Sequence, residues 1–550
     1  MHGKTLILLF CFCCSATAFS QSFTHADTLR GTITPERAWW DLNFYDLEVT
    51  PNITEETLSG KNTVYFTALA PGKVLQIDLQ KPLAITKAQY HGKEITWKQD
   101  GNAWFLQLPE TVAKGKKESV TIYYNGKPKK ARNAPWDGGL VWAKDQKKRP
   151  FVNTACQELG ASVWWPTKDH QYDEVDSMRF TVNVPDTLVD VSNGRLRSIK
   201  RDGMGMAAYE WFISNPINNY DVAMNIGKYV HFGDTMTGEK GLLTLDFYVL
   251  DYNLEKAMAH FVQAKQMLRC FEHWFGPYPF YKDGYKLVES DHLGMEHQSA
   301  TAYGNRFRNG YRGNDLSGSG WGLKWDFIII HESGHEWFGN NITSKDIADM
   351  WIHESFTNYS ETIFTGCYYG EQAADEYNIG SRRNISNDRP IIGDYNVNKP
   401  GSGDMYPKGS SMIHIIRKTI NNDELFRQIL RGLNKDFYHK TVTTKEIENY
   451  ISKKAGIDFS KVYDQYLRTT QIPRLVYSSA SKNGVTQFKI KWENCVSGFN
   501  LPLYIITGSD TRKLVKPNDK TFITVDIKDA PTDLSKLVDP AVYITVKKKS

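Results

Sequence analysis

Cysteine is scarce in this chain, which has 7 Cys among 550 residues. They are Cys11, Cys13, Cys14, Cys156, Cys270, Cys367 and Cys495. The first three lie close to the start, and the other four are far apart in the sequence. This spacing excludes a small fold held together by disulfides, and the later four form no CxxC pair of the kind that structural zinc sites use. One or two bridges fit the sequence, which leaves their pairing open.

The chain also has no strong excess of one charge and no repeat or long low-complexity segment. Its 67 Lys and Arg residues against 62 Asp and Glu give a formal net charge of +5. The basic residues are scattered, and the short runs at 114–117 and 547–549 are typical of solvated surface. We therefore expect no nucleic-acid partner. No later segment reaches the roughly 18 apolar residues that span a bilayer, so we expect no stable membrane insertion.

The beginning of the chain has the pattern of a secretion signal, and we interpret residues 1–20 as a signal peptide. Lys4 supplies the positive start, residues 6–14 form an apolar run, and residues 15–18 are small enough for cleavage. An N-terminal membrane anchor is the alternative, but the apolar run is too short to cross a bilayer. The sequence therefore predicts an exported, soluble protein, either periplasmic or secreted.

Residues 21–230 have the composition of a β domain. Runs rich in β-branched and aromatic residues occur at 64–66, 74–79, 120–124 and 180–184. Turn dipeptides such as Asn125-Gly126 and Asn193-Gly194 punctuate this region. We expect a large antiparallel β domain.

The pattern changes near residue 230, and from 231 to 472 apolar residues recur at helical spacing. Predicted helices cover 253–274, 411–420, 423–433 and 444–454. Beyond Ile472-Pro473 short alternating strands return, which predicts a small C-terminal β domain, sandwich-like, over 473–550. The predicted fold is therefore multidomain α+β, with three domains after the signal.

The helical region contains the HExxH motif at residues 331–335, with Glu354 nineteen positions after the second His. Residues four apart lie on one face of a helix, so both imidazoles can bind one metal ion. Two His and one Glu with an open position are the ligand set of hydrolytic zinc enzymes. We expect one Zn²⁺ per chain, held by His331, His335 and Glu354, with Glu332 as the general base toward water at the open position.

The residues around this motif predict two packed helices. A mostly apolar run at 325–330 leads into the motif, as a buried helix requires. Apolar or aromatic residues at 352, 356, 359 and 363 follow helical spacing on either side of Glu354. Glu354 is therefore expected on a second helix that packs beside the first.

Four separated segments carry a resemblance to a known family. They are Ala155-Cys156-Gln157-Glu158 with Trp164-Trp165-Pro166 and Asp169, then Gly294-Met295-Glu296-His297-Gln298, then the zinc motif with Trp337-Phe338-Gly339-Asn340, and finally Tyr406-Pro407-Lys408-Gly409. In this order they resemble the M1 family of zinc aminopeptidases, which are gluzincins. The resemblance implies a saddle-like N-terminal β domain and a thermolysin-like, mostly helical catalytic domain.

The resemblance also implies roles outside the zinc motif. Glu296 would pair with the free α-ammonium of a peptide, within a substrate-binding segment that includes Gly294 and Met295. Tyr406 would stabilise the oxyanion of the transition state. Gln157 would hydrogen-bond the same ammonium, and a loop amide with no ligand is an equally open interpretation of it. The implied reaction is hydrolysis of the N-terminal residue from peptides with a free N-terminus.

The sequence departs from the family pattern at several positions. These are Leu293, His297, His353, Ser355 and Pro407. None removes an atom that the chemistry needs. A long helical C-terminal domain, frequent in the family, is replaced here by the short β segment, which predicts a more open cleft.

Two other functions fit part of the pattern. A thermolysin-like zinc endopeptidase shares the HExxH motif and the distant Glu but has no need of Glu296 or Tyr406. A non-catalytic binding protein on the same fold has no need of the base Glu332. We expect an exported zinc aminopeptidase that acts as a monomer.

Overall fold

The computed structural model describes residues 23–157, 159–508 and 511–549. The predicted signal peptide and Glu158 lie outside these residues. The first half of the chain is β-rich, as predicted, after the short helices α1 (His25–Gly31) and α2 (Pro35–Ala38). Its strands are β1 (Trp40–Asn52), β2 (Thr57–Ala68), β3 (Gly72–Asp78), β4 (Ala84–Tyr90), β5 (Lys93–Glu94), β6 (Thr96–Asp100), β7 (Ala103–Val112), β8 (Lys117–Gly126), β9 (Gly139–Lys144), β10 (Pro150–Ala155), β11 (Ser177–Pro185), β12 (Val189–Val191), β13 (Arg195–Arg201), β14 (Met206–Ile213) and β15 (Asn225–Gly227).

Three sheets organise these strands around one apolar core. The largest has the order β13-β14-β11-β1-β2-β8-β4-β5, and the others are β3-β7-β6 and β12-β15-β10-β9. Along β1, alternate residues such as Tyr45, Leu47 and Val49 are fully buried, because successive side chains of a strand point to opposite faces. The antiparallel prediction is wrong for one pairing, since β1 and β11 run parallel. The long chain segment between them allows either direction, whereas a hairpin permits only one.

The middle of the chain is mostly helical. Its elements are β16 (Tyr229–Gly238), β17 (Gly241–Leu250), α3 (Leu254–His260), α4 (Val262–Phe275), β18 (Tyr285–Glu289), β19 (Gly294–Met295), β20 (Thr301–Tyr303), α5 (Phe327–Gly334), β21 (Ile342–Ser344), α6 (Trp351–Tyr369), α7 (Glu371–Ser381), α8 (Pro407–Ile420), α9 (Asp423–Asp436), β22 (Lys440–Val442), α10 (Thr444–Ala455) and α11 (Ser460–Arg468). Five of the strands form a sheet in the order β16-β17-β18-β20-β19, and β21 pairs with β22. Over the described part of the chain, every helix is too short or too polar to cross a membrane.

One disulfide joins two helices of this region. Cys270 on α4 and Cys367 on α6 are bridged, with their Cα atoms 6.2 Å apart. Cys156 and Cys495 are free thiols. The bridge ties α6, the helix that carries Glu354, to the neighbouring helix α4.

The C-terminal strands are β23 (Arg474–Lys482), β24 (Val485–Glu493), β25 (Leu503–Ile506), β26 (Arg512–Val515), β27 (Ile523–Lys528) and β28 (Thr545–Lys548). Four of them form a sheet in the order β27-β24-β23-β28, and β25 pairs with β26. The inward residues Phe488, Ile490 and Trp492 join the same apolar cluster as the helices before them. The domain limits 21–230, 231–472 and 473–550 and the sandwich-like description of the last segment stay predictions.

Candidate active site

The helix that carries the HExxH motif, α5, begins at a strong cap. The Asp326 carboxylate accepts hydrogen bonds from the backbone N–H groups of Ile328 (2.9 Å) and Ile329 (3.3 Å). It also accepts from the Tyr303 hydroxyl (2.7 Å), which connects the cap to β20. The apolar residues of the first turn are buried in the core. The start of α5 is therefore fixed by both capping and packing.

The helix ends just before the second His of the motif, and the chain turns sharply three to four residues further on. Phe338 is extended and Gly339 has a φ of 128°, in the region that favours glycine. A Cβ on Gly339 would also lie 3.1 Å from Nδ1 of His335. The turn brings the Phe338 carbonyl to 3.0 Å from that same nitrogen. The segment after the motif therefore orients the second imidazole.

His331, His335 and Glu354 are brought together, with candidate ligand atoms that all lie within 4.8 Å of one another. Oε2 of Glu354 lies 3.8 Å from Nε2 of His331 and 3.4 Å from Nε2 of His335. All three side chains are buried. Burial raises the pKa of the Glu354 carboxyl, but the two imidazoles outweigh it and hold that pKa below its usual range.

The donor set fits a zinc ion. Nδ1 of His331 donates to the Glu361 carboxylate at 2.7 Å, and Nδ1 of His335 donates to the Phe338 carbonyl. With a proton on each Nδ1, both Nε2 atoms carry lone pairs toward the shared space. Oε2 of Glu354 is buried and has no hydrogen-bond partner among the described residues. An unpartnered buried carboxylate oxygen beside two Nε2 atoms matches the tetrahedral N and O sites that zinc prefers.

Two residues beyond the predicted ligands, Glu361 and Thr357, support this set. Glu361 lies on the same helix as Glu354, and its second oxygen accepts from the Tyr377 hydroxyl (2.6 Å). The signal was present in the spacing, because residues seven apart return to one face of a helix. Thr357, on the same helix, places its hydroxyl 3.2 Å from Nδ1 of His335 and donates to the Phe338 carbonyl.

Glu332 projects from α5 beside a glycine of β19. A Cβ on Gly294 would lie 2.9 Å from Oε1 of Glu332 and 2.8 Å from Cγ2 of Ile328. Any larger residue at 294 would therefore displace the Glu332 carboxylate. The next residue, Met295, is buried in the core of the β-rich half. Burial raises the pKa of Glu332 to about 7, while the imidazoles of His331 and His335 act in the opposite direction.

Glu296 lies directly after β19 and faces the same space. Its Oε1 accepts from Nε2 of Gln157 at 2.5 Å and from the Tyr220 hydroxyl at 3.1 Å. Nε2 of Gln157 also donates to Oε1 of Glu354 at 2.8 Å. Asn340, from the turn after α5, donates to the backbone carbonyl of Glu296 at 2.8 Å. Gln157 is thus part of the cluster, and Tyr220 is a member that the sequence did not indicate.

Tyr406 stands at the start of α8 with its ring beside the His331 imidazole, at 6.0 Å between ring centres. Burial, with the nearby carboxylates of the site, raises the pKa of its hydroxyl well above the ordinary value, so it stays a donor. The Ser355 hydroxyl donates to the Met405 carbonyl at 2.6 Å and so anchors this turn to α6. A Cβ on Gly409 would lie 1.9 Å from the Ser355 oxygen, so only glycine allows this close approach.

Two of the residues that depart from the family pattern, His353 and His297, are fully buried. Nε2 of His353 accepts from the backbone N–H of Ser344 at 2.8 Å, and burial lowers the pKa of His353 to about 3. His297 is fully buried with its ring edge-on to His292, and burial likewise lowers its pKa to about 3. Both imidazoles are therefore neutral. Neither is a ligand of the candidate metal set among the described residues.

A cavity of about 790 Å³ opens above the cluster. Its walls include the site residues Gln157, Gly294, Met295, Glu296, His331, Glu332, His335, Glu354 and Tyr406. Further walls come from α1, the 135–138 loop and residues 398–400. The predicted site residues therefore line one cavity, although they are distant in the sequence.

Comparison with known proteins places this arrangement in a class. Residues 42–220 match the Peptidase M1 N-terminal domain, and residues 259–466 match the Peptidase family M1 domain. Together with the fold and the donor set, these matches define a zinc metallopeptidase. The chain belongs to peptidase family M1, which confirms the predicted family, and zinc is its cofactor.

Individual relatives are distant. The chain is 22% identical to leukotriene A-4 hydrolase of Xenopus laevis over 76% of its own length and 68% of the relative's. It is 21% identical to probable aminopeptidase 2 of Sulfurisphaera tokodaii and 22% identical to leucyl aminopeptidase of Saccharolobus solfataricus, and spans 59% and 50% of their lengths.

Solved structures share the fold. The M1 zinc metallopeptidase from Deinococcus radiodurans aligns with a TM-score of 0.65 at 20% identity, covering 79% of this chain and 95% of that one. A variant of that enzyme bound to a Tyr-Ser-Ala substrate aligns with the same TM-score at 19% identity, over 78% of this chain and 95% of that one. The match covers most of the described chain.

Proposed function

We propose that this chain is an exported aminopeptidase, which hydrolyses the N-terminal residue from peptides. The observation that carries the proposal is the Glu296 carboxylate, buried beside the zinc set and held by Gln157 and Tyr220. A buried carboxylate needs a cationic partner or a proton, and the α-ammonium of a peptide supplies a cation. With the ammonium fixed there, the first peptide bond lies nearest the zinc set.

When bound, a zinc ion in such a site supplies a Lewis acid for the scissile carbonyl and acidifies a water molecule. Glu332 removes a proton from the attacking water and passes a proton to the leaving amine. Burial of the Glu332 carboxylate favours uptake of that proton, because it raises the pKa of the carboxyl group. Tyr406 donates a hydrogen bond to the developing oxyanion. Gln157 and Glu296 orient the substrate amine.

The thermolysin-like endopeptidase is the competing function. An endopeptidase must accept chain on both sides of the scissile bond, and it gains nothing from a buried anion close to the zinc set. The Glu296 cluster, with its two supporting donors, favours the exopeptidase. The solved Deinococcus variant that holds Tyr-Ser-Ala supports the same class of substrate.

Export is the second part of the proposal. The disulfide between Cys270 and Cys367 supports it, because such bonds persist in oxidising compartments outside the cytosol. We further propose that the enzyme is a monomer and that the C-terminal strands form a small sandwich-like domain.

We predict that substrates with a free N-terminal amine are strongly preferred over substrates whose amine is blocked. We expect a free aminoacyl amide to be cleaved at least ~10²-fold faster than its N-acetyl form, because a charge-assisted hydrogen bond of about 1.5–3 kcal/mol is lost beside a carboxylate that stays buried. The measurement is kcat/KM for both substrates.

Glu296→Ala should lower activity on the free amine and flatten this ratio. The matched control is Glu255→Ala, which removes an exposed carboxylate on α3 and should change neither value. Equal cleavage of free and acetylated substrates by the unmodified protein would contradict the aminopeptidase proposal.

A further inference from the structure

One wall of the cavity is built by α1, the helix closest to the predicted export cleavage point. The end of this helix is held by a fully buried arginine, Arg37. Its guanidinium donates to the backbone carbonyls of Arg30 (2.8 Å) and Thr32 (2.9 Å). Gly31 presses against the backbone of Val397, where a Cβ would lie within 2.3 Å. The backbone that carries Arg30 is therefore fixed against the catalytic half of the chain.

The Arg30 side chain is also held in place. A Cβ on Gly160 would lie 1.8 Å from Nη2 of Arg30, so the guanidinium occupies the space that this glycine leaves free. Nη2 lies 3.3 Å from the Asp169 carboxylate. The same carboxylate oxygen already accepts from the backbone N–H (3.2 Å) and the hydroxyl (2.5 Å) of Ser162. Among the described residues, Nε of Arg30 has no hydrogen-bond partner. That nitrogen is buried, but a guanidinium has five N–H donors, more than the Asp169 carboxylate can engage, and the Arg30 side chain lines the cavity.

Arg30 lies on the side of the cavity where the substrate amine is proposed to bind. A small adjoining cavity of about 40 Å³ shares three wall residues with the main one, namely Arg30, Gln157 and Asn398. Gln157 is the residue that donates to Glu296. The α-ammonium and the first side chain of a peptide leave the same carbon atom. The first side chain must therefore find its subsite close to Glu296, along the wall that Gln157 and Arg30 share.

Two carboxylates, those of Asp27 and Asp169, lie near Arg30 and reduce its net effect on a ligand. Oδ2 of Asp27 accepts two hydrogen bonds at the start of its own helix, from the backbone N–H (2.9 Å) and the hydroxyl (2.6 Å) of Thr24. Asp169 is engaged by Ser162. Lys399, a second cation, also lines the cavity. On the main cavity this wall therefore carries two cations, Arg30 and Lys399, against one carboxylate, that of Asp27, while Asp169 lines only the small adjoining cavity.

We propose that Arg30 forms an anion-binding subsite for the first side chain of the substrate, so that peptides beginning with Asp or Glu are preferred over those beginning with Lys or Arg. This inference rests on the proposed aminopeptidase function. An acidic side chain gains charge-assisted hydrogen bonds from the guanidinium. A basic side chain would lie beside the like charge of Arg30, in a cavity wall that is partly shielded from water. This repulsion lowers the affinity for substrates that begin with Lys or Arg.

The test compares glutamyl, alanyl and lysyl fluorogenic amides. In the unmodified protein, we expect kcat/KM for the glutamyl substrate to exceed that for the lysyl substrate at least ~10-fold. Arg30→Gln should reduce this ratio by about 10-fold or more, while the alanyl substrate changes by less than about 3-fold. Arg30→Lys should retain part of the preference. Arg512→Gln removes an exposed arginine that does not line the cavity and should leave the ratio unchanged.

The outcomes separate this inference from the proposed function. A glutamyl-to-lysyl ratio near or below one in the unmodified protein overturns the subsite, whether or not the variants fold. An equal ratio in folded Arg30→Gln and unmodified protein overturns it as well, while alanyl cleavage still supports the aminopeptidase. If no free-amine substrate is cleaved, the proposed function fails. Calorimetric binding of free L-glutamate and L-lysine then decides the subsite, and tighter binding of L-lysine contradicts it.

Discussion

His335→Ala is expected to yield a folded protein that has lost both its zinc and its peptidase activity. The substitution removes one of three donors and leaves His331 and Glu354, which cannot complete a four-coordinate site with one open position. We expect kcat/KM to fall by at least ~10⁴-fold, the upper end of what one general base contributes, because both carbonyl polarisation and water activation are lost together. Elemental analysis and a kinetic assay on the same preparation measure both effects.

A matched variant and a chelation experiment control for damage to the fold. His231→Ala removes a partly exposed imidazole that pairs with Asp246, and it should keep both zinc and activity. Removal of zinc from the unmodified protein by a chelator should abolish activity, and added Zn²⁺ should restore it. One zinc per chain in folded His335→Ala would show that these residues are not the ligand set.

Glu332→Gln is expected to keep the metal and lose the chemistry. Glutamine has nearly the same shape as glutamate but cannot accept the proton from water. The carboxylate packs against Gly294, and the amide of glutamine has the same shape, so it should occupy a similar position. We predict a fall in kcat of about 10²–10⁴-fold, the range for loss of a general acid–base group, with normal zinc content.

The comparison variant for this experiment is Glu376→Gln, which changes an exposed Glu on α7 that accepts from the Trp321 indole. It should not alter kcat. Near-normal turnover in Glu332→Gln would mean that another group activates the water. A loss of zinc in that variant would instead place Glu332 among the metal-binding residues.

Local patterns in the sequence indicated much of this site. The HExxH helix could be predicted because its signals are local, an apolar run followed by two His four apart. Glu354 could be placed on a neighbouring helix from apolar spacing alone. The structure adds the Asp326 cap, which fixes the start of that helix, and the sharp turn at Gly339, which orients the His335 imidazole. A cap residue before an apolar helix is also a local signal.

Contacts between distant segments could not be predicted from the residues alone. Gln157 and Tyr220 come from the β-rich half and meet Glu296 only through the packing of that half on the helices. The parallel pairing of β1 with β11 has the same origin, since strand patterns predict which face is buried but not the partner. The position of Arg30 beside Gly160 depends on the whole path of the chain between them, for which the sequence has no signal.

We expect the buried carboxylate of Glu296 to limit the zinc site to the N-terminal residue of a peptide. Mass spectrometry of the products from one unblocked peptide and its N-acetyl counterpart tests it most directly. We predict that single residues are released in order from the N-terminus of the free peptide, while the acetylated peptide stays intact over the same time. Internal fragments from either peptide would contradict this prediction and favour the endopeptidase.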